Sequence, residues 1–112
     1  MTFKPYERVK YEIYQMKLSE ANRGIQFLSY ETVMEMKPDL SLDDYDLKYS
    51  GTYNIGIRKT MKDILDGIYC VFNYARPLDF KGHSLSVSDI IRIEDKFYYV
   101  NSFGFTEVEM EE

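Results

Sequence analysis

The sequence is poor in the residues that most often carry catalysis or bind metals. Its 112 residues include one cysteine, Cys70, and one histidine, His83. A single cysteine excludes an internal disulfide and a multi-cysteine zinc site, and one histidine among scattered carboxylates is a poor set of metal ligands. We therefore expect no metal and no other cofactor.

Long apolar runs and a basic stripe are also missing. Nowhere do 18 apolar residues follow one another, so no membrane-spanning helix is expected, and the first residues lack a signal-peptide pattern. The net charge is −5, whereas a nucleic-acid-binding protein usually concentrates Lys and Arg on one face. The sequence predicts a cytoplasmic protein that binds neither membrane nor nucleic acid directly.

Aromatic side chains and acidic residues are abundant instead. The chain has 11 Tyr and 7 Phe but no Trp, and tyrosine suits both the rim of a small core and a protein interface. Residues 81–112 carry three basic and seven acidic residues. We predict a single domain over residues 1–112, with a short acidic C-terminal tail over residues 107–112.

Hydrophobic periodicity predicts an α+β fold with two helices. Strands are expected over residues 10–17 and 44–53, the second half-buried with one solvated face. Ser29 is a good N-cap for a helix that ends before Pro38. Thr60 caps the second helix, whose apolar residues recur at helical spacing and predict a core stripe: Met61, Ile64, Leu65, Ile68 and Phe72.

A C-terminal β-hairpin is predicted around a two-residue loop, Asp95-Lys96. In that register Asp89 lies opposite Ser102, and we interpret the two as a structural polar pair at the base of the hairpin. The sheet is expected to be small and mostly antiparallel, and a sheet curled into a barrel stays an open alternative. The register gives an inner, core face (Ile91, Ile93, Tyr98 and Val100) and an outer face (Arg92, Glu94, Phe97 and Tyr99).

No arrangement of nucleophile and base stands out. Cys70 and His83 with Asn101 or Asp89 would resemble a cysteine-protease set. A helical wheel places Cys70 opposite the apolar stripe, near a helix C-terminus where the dipole disfavours a thiolate. The serines at 84, 86 and 88 are typical of side chains that hydrogen-bond nearby backbone. We predict no catalytic site.

Several stretches of the sequence resemble the YodL-like family, and together they cover nearly the whole chain. The signature is Gly82-His-Ser-Leu-Ser-Val-Ser-Asp-Ile-Ile followed by Phe97-Tyr-Tyr-Val-Asn-Ser-Phe-Gly-Phe. The sequence departs from the family pattern at Asn101, where aspartate is expected, and at the Glu94-Asp95-Lys96 turn, where glycine is expected. The resemblance implies an accessory protein of conjugative elements, plasmids or phages of Gram-positive bacteria, with no established enzymatic activity.

These observations predict a non-enzymatic protein-interaction module. We expect its surface to consist of Phe97, Tyr99 and Phe103, with His83 at the edge. The alternative is an acidic inhibitor that imitates nucleic acid and occupies a host defence nuclease of the restriction or CRISPR type. A third hypothesis, a hydrolase built on Cys70 and His83, has the least support.

Overall fold

The computed structural model describes residues 7–56 and 60–110. In this part of the chain, five strands form one antiparallel sheet with the order β2-β1-β3-β4-β5. The strands are β1 (Arg8–Met16), β2 (Tyr45–Asn54), β3 (Ile90–Ile93), β4 (Lys96–Val100) and β5 (Phe105–Val108). The helices are α1 (Tyr30–Met36) and α2 (Met61–Tyr74), and single 3-10 turns occupy Glu20–Asn22 and Leu42–Asp44.

Both helices begin where the sequence predicts, because their caps are local. The Ser29 side chain accepts a hydrogen bond from the Thr32 N–H at the start of α1. Thr60 and Asp63 form a reciprocal capping box at the start of α2, which satisfies two backbone donors that the helix itself leaves free. No helix among the described residues is long and apolar enough to cross a membrane.

The mixed α+β class is confirmed, but the details of the sheet differ from the prediction. The sheet is not closed into a barrel, because β2 and β5 lie at its opposite edges. The C-terminal hairpin is extended by β5, which pairs with β4. Glu107 and Val108 therefore belong to a strand and not to a tail, while residues 111–112 of the predicted tail lie outside the described part.

The predicted register between β3 and β4 is wrong. Ile93 pairs with Lys96 and Ile91 with Tyr98, so the connection is Glu94-Asp95. Glu94 has a φ of +54°, the left-handed region that glycine adopts without cost, and the resemblance had suggested glycine in this turn. Because the correction moves each partner by two positions, it preserves the faces. Ile91, Ile93, Tyr98 and Val100 still share one core.

The sheet is buried on both faces, which the sequence did not indicate. The α2-side core joins α2 to one face through residues such as Ile13, Ile68 and Ile91. The α1-side core lies on the other face, where α1 and the loops around it cover Phe97 and Tyr99. Phe97 is 5% exposed and Tyr99 0%. The expectation that these two rings form an outer binding surface is therefore wrong.

A β-bulge distributes the tyrosines of β2 over both faces. Ile13 pairs with Tyr49 and Tyr14 with Leu47, which leaves Lys48 as the extra residue. Tyr49 packs against the α2-side core, whereas Tyr45 is buried in the α1-side core. The predicted simple alternation with one solvated face is thus interrupted at Lys48.

Truncation of the buried rings will test this two-sided core. We expect Tyr99→Ala and Phe97→Ala each to lower the free energy of unfolding by about 3–5 kcal/mol, since each removes a buried ring. Phe103, which is 97% exposed, is the matched control, and Phe103→Ala is expected to change stability by no more than about 0.5 kcal/mol. Urea denaturation followed by circular dichroism measures all three. Equal, small effects would contradict burial of the second face.

Candidate functional site

A buried carboxyl group lies at one end of the sheet, directly before β3. The Asp89 side chain is fully buried. Its Oδ2 accepts hydrogen bonds from Gln15 Nε2 at 3.0 Å and from the Ser86 N–H at 2.8 Å, while its Oδ1 has no hydrogen-bond partner in the described structure. Burial raises the pKa of Asp89 to about 8, although both donors act in the opposite direction. The carboxyl is therefore mainly protonated at neutral pH.

Gln15 connects this carboxyl to the loop that carries His83. Gln15 is almost fully buried on β1, and its Nε2 also donates to the His83 carbonyl at 2.9 Å. Its Oε1 accepts from the His83 N–H at 3.2 Å. A Cβ at Gly82 would collide with the Gln15 amide. Gly82 therefore allows the loop to approach the sheet closely enough for these bonds to form.

Both ring nitrogens of His83 face groups of the protein. Nδ1 lies 2.7 Å from the Ser84 carbonyl, which can only accept, so we place the ring proton on Nδ1. Nε2 lies 3.9 Å from Asp89 Oδ1. No group of three or more potential metal-ligating His, Cys, Asp or Glu side chains occurs in residues 7–56 and 60–110. The Nδ1 contact holds the imidazole in place, whereas Nε2 lies beyond hydrogen-bond distance of Asp89 Oδ1.

Two strained residues hold the neighbouring loop against this network. Phe27 has a φ of +70° and Ser88 a φ of +84°, a region that costs energy for residues other than glycine. They bond to each other, since the Phe27 N–H donates to Ser88 Oγ at 2.9 Å. The Tyr45 hydroxyl donates to the Ser88 carbonyl at 2.7 Å. The Phe27 ring is thereby placed against the His83 ring, with centroids 5.6 Å apart.

An open groove of about 500 Å³ lies above Gln15 and His83, and we call it the basic groove. Lys17, Lys48 and Lys81 line it together with a single acidic residue, Asp46. In the described part of the chain these lysines form no ion pair, in contrast to Lys37, Lys62 and Lys96. Leu18 lies at the rim and is 91% exposed. The groove thus combines positive charge that no described residue pairs with and an exposed apolar side chain, on a protein whose net charge is −5.

The predicted partner-binding residues do not form one surface. His83 lines the basic groove, and Phe97 and Tyr99 are buried. Phe103 protrudes from the turn between β4 and β5, beside a separate shallow groove that contains Leu65 and Phe105. The two grooves share no lining residue. Cys70 is exposed on α2.

The predicted polar pair between Asp89 and Ser102 is absent, because the register differs. Asp89 instead bonds with Gln15 and Ser86, and its backbone carbonyl accepts from the Val100 N–H at 2.8 Å. The Ser102 N–H donates to Asn101 Oδ1 at 2.9 Å. The two residues therefore take part in different local networks.

Sequence reasoning missed Gln15 and the three lysines of the basic groove. Gln15 stands between two apolar residues in a strand, and this is the signal that could have marked it as a buried polar group. It named Asn101 but did not foresee its contacts with α1: its Oδ1 accepts from the Tyr30 N–H, and its Nδ2 lies 3.1 Å from Glu31 Oε1. An aspartate there could not donate to Glu31, so asparagine suits the start of α1 in this chain.

Comparison with known proteins gives a family and nothing further. A family model described as the YodL-like domain matches residues 10–110. No curated protein and no solved structure matches the chain.

The buried carboxyl makes a prediction about pH. The folded-state pKa of Asp89, about 8, lies above its ordinary value of 3.8, so the stabilisation is complete below about pH 4 and is lost as the pH rises towards 8. We expect Asp89→Asn to remove this decline, worth at most about 1.4 kcal/mol per pH unit, because asparagine does not titrate. Its amide oxygen still accepts from Gln15 and Ser86, so the variant should fold. Urea unfolding between pH 5 and 9 measures the decline.

The control for this experiment is Asp46→Asn, since Asp46 is exposed on β2. This variant should keep the pH dependence of the wild-type protein. If Asp89→Asn instead destabilises the protein most at high pH, Asp89 is ionised in the folded state and the predicted direction is wrong.

Proposed function

The chain belongs to the YodL-like domain family, and we propose that it is a non-enzymatic protein-interaction module that binds an acidic segment of a partner protein. The observation that carries the proposal is the basic groove. Its lysines form no ion pair within residues 7–56 and 60–110, and together with the exposed leucine they offer contacts to an acidic, partly apolar segment.

Charge complementarity supports an acidic occupant. Lys17, Lys48 and Lys81 supply three positive charges and Asp46 one negative charge at the groove. By contrast, Lys62 on α2 already has an acidic partner, since its Nζ lies 2.7 Å from Asp66 Oδ2. Local positive charge on an acidic protein orients an acidic partner and accelerates its association.

Exposed apolar side chains beside the lysines support a protein partner over a small anion. Leu18 and Phe27 are 91% and 52% exposed. Leu18 lines the groove, and Phe27 packs against His83, which also lines it. Burial of such side chains provides affinity that charge alone does not give in salt.

Preorganisation of the groove also favours binding. Its floor is fixed by the hydrogen bonds of Gln15 to His83 and Asp89, and its Phe27 side by the bond from Phe27 to Ser88. A surface that is ordered before binding loses less conformational entropy when a partner arrives. The bonds between Gln15 and His83 engage the His83 backbone and so fix the position of its loop.

We place this module in the cytoplasm of a Gram-positive host, as an accessory protein of a conjugative element, plasmid or phage. Support for this setting comes from the family resemblance of residues 82–105. The alternative, an acidic mimic of nucleic acid, receives less support, because Glu107 lies 3.8 Å from Lys96 and belongs to a strand.

A labelled peptide will test the proposal. The probe is an eight-residue peptide in which Glu alternates with Val, and binding is measured by fluorescence anisotropy at low salt. We expect the Lys17→Gln, Lys48→Gln, Lys81→Gln triple variant to bind roughly tenfold more weakly, since three exposed charge pairs of about 0.5 kcal/mol each together correspond to about a factor of ten.

The matched control is Lys62→Gln, Arg76→Gln, Lys96→Gln, which changes the net charge equally but leaves the groove intact. It should retain wild-type affinity, and a peptide in which Gln replaces Glu should bind weakly to every variant. Equal losses in the two triple variants would show that net charge and not the groove attracts the probe, and would overturn the proposal.

A further inference from the structure

The outer edge of β2 lies next to the basic groove and is unpaired in the described structure. We propose that the acidic segment binds as an added strand along this edge, with its acidic side chains reaching the groove. This inference rests on the proposed function and specifies how the partner is held. It concerns backbone hydrogen bonds, which the charge experiment above does not examine.

The hydrogen-bond pattern shows which backbone groups of β2 point outwards. The Ile55 N–H donates to the Glu7 carbonyl, whereas the Glu94 N–H donates to the Lys10 carbonyl. Odd-numbered residues of β1 up to Ile13 therefore bond with β2, and even-numbered residues bond with β3, because the direction alternates along a strand. By the β1–β2 register, Tyr49, Gly51 and Tyr53 point inwards. The remaining residues of this stretch point outwards: Ser50, Thr52 and Asn54.

These three outward residues offer one donor and one acceptor each. No hydrogen bond from residues 7–56 or 60–110 reaches their N–H or carbonyl groups, and their side chains are exposed. Such a row of unpaired groups is the template on which an extended peptide adds a strand.

Protection of this edge is confined to one end. Lysine, proline or a bulge commonly protects an exposed strand edge from pairing with another chain. In β2, Lys48 is both a lysine and the bulge residue. The following stretch, Tyr49-Ser-Gly-Thr-Tyr-Asn54, contains no charged residue and no proline. The edge is thus blocked at the bulge and accessible beyond it.

The edge and the basic groove are continuous. Asp46 and Lys48 belong to β2 and line the groove. A strand paired with residues 50–54 reaches Lys48 after two more residues, or about 7 Å at 3.3 Å per residue. An acidic segment can therefore pair its backbone with β2 and extend its carboxylates towards the lysines.

Selective N-methylation of the probe tests the backbone pairing directly. Two peptides are made from the Glu-Val probe, one methylated on the amides of the Glu residues and one on those of the Val residues. Alternate amides of a strand point to opposite edges, so we expect one peptide to lose at least tenfold in affinity for the wild-type protein and the other to keep it. If both bind as the parent does, or both lose equally, the strand is not added and the inference is overturned.

A substitution on the protein gives the complementary result. Thr52→Pro removes the outward N–H at the middle of the edge, a position where an edge strand tolerates proline, and should weaken the probe by about the same factor. Thr52→Ala keeps the N–H and should bind as wild type. Thermal unfolding checks that both variants fold. If Thr52→Pro does not fold, the methylated peptides still test the backbone pairing on the wild-type protein.

The two proposals fail in different ways. If the lysine triple variant loses binding but methylation of the peptide has no effect, the proposed interaction module stands and only the inference of an added strand is rejected. Sedimentation velocity of the protein alone tests whether a second copy of the chain, and not a partner peptide, occupies the β2 edge. A dimer that Thr52→Pro dissociates would show that β2 pairs with itself and would overturn the inference.

Discussion

The hydrogen bonds of one buried amide, Gln15, hold the candidate site together. Its Nε2 contacts the Asp89 carboxyl and the His83 carbonyl, and its Oε1 accepts from the His83 N–H. These bonds tie β1 to the loop over residues 82–88, which has no regular secondary structure of its own. Without them the buried carboxyl would keep only the Ser86 N–H as a donor and the loop would lose these bonds to β1, so the shape of the basic groove depends strongly on this side chain.

Two-sided burial of the sheet explains why the expected aromatic surface does not exist. A small antiparallel sheet often leaves one face in water, and Arg92 and Glu94 among the aromatics of the hairpin suggested such a face. In the structure Arg92 covers the Phe97 ring, with its guanidinium carbon 4.9 Å from the ring centroid, and the Tyr99 hydroxyl donates to the Leu28 carbonyl at 2.7 Å. Tyrosine and arginine can line a core when their polar ends find partners.

Structure formed by residues close together in the chain could be predicted from the sequence, whereas contacts between residues far apart in the chain could not. The caps at Ser29 and Thr60 and the apolar stripe of α2 involve residues within a few positions of each other, so propensity and spacing predicted them. The candidate site joins Gln15 to Asp89, 74 positions apart, and no periodicity encodes that contact. The predicted β3–β4 register is wrong although the turn is local. The reason is that Glu94 adopts a left-handed conformation that its residue type disfavours.

The bulge at Lys48 links these features. Strict alternation along β2 would place Tyr45 on the same face as Tyr49, towards α2. The extra residue turns Tyr45 to the other face, where its hydroxyl reaches the Ser88 carbonyl at 2.7 Å and supports the strained pair formed by Ser88 and Phe27. Lys48 also lines the basic groove, and it is the last residue of β2 that protects the outer edge of this strand. A single inserted position thus shapes the core, the charge of the groove and the length of β2 edge that is unpaired in the described structure.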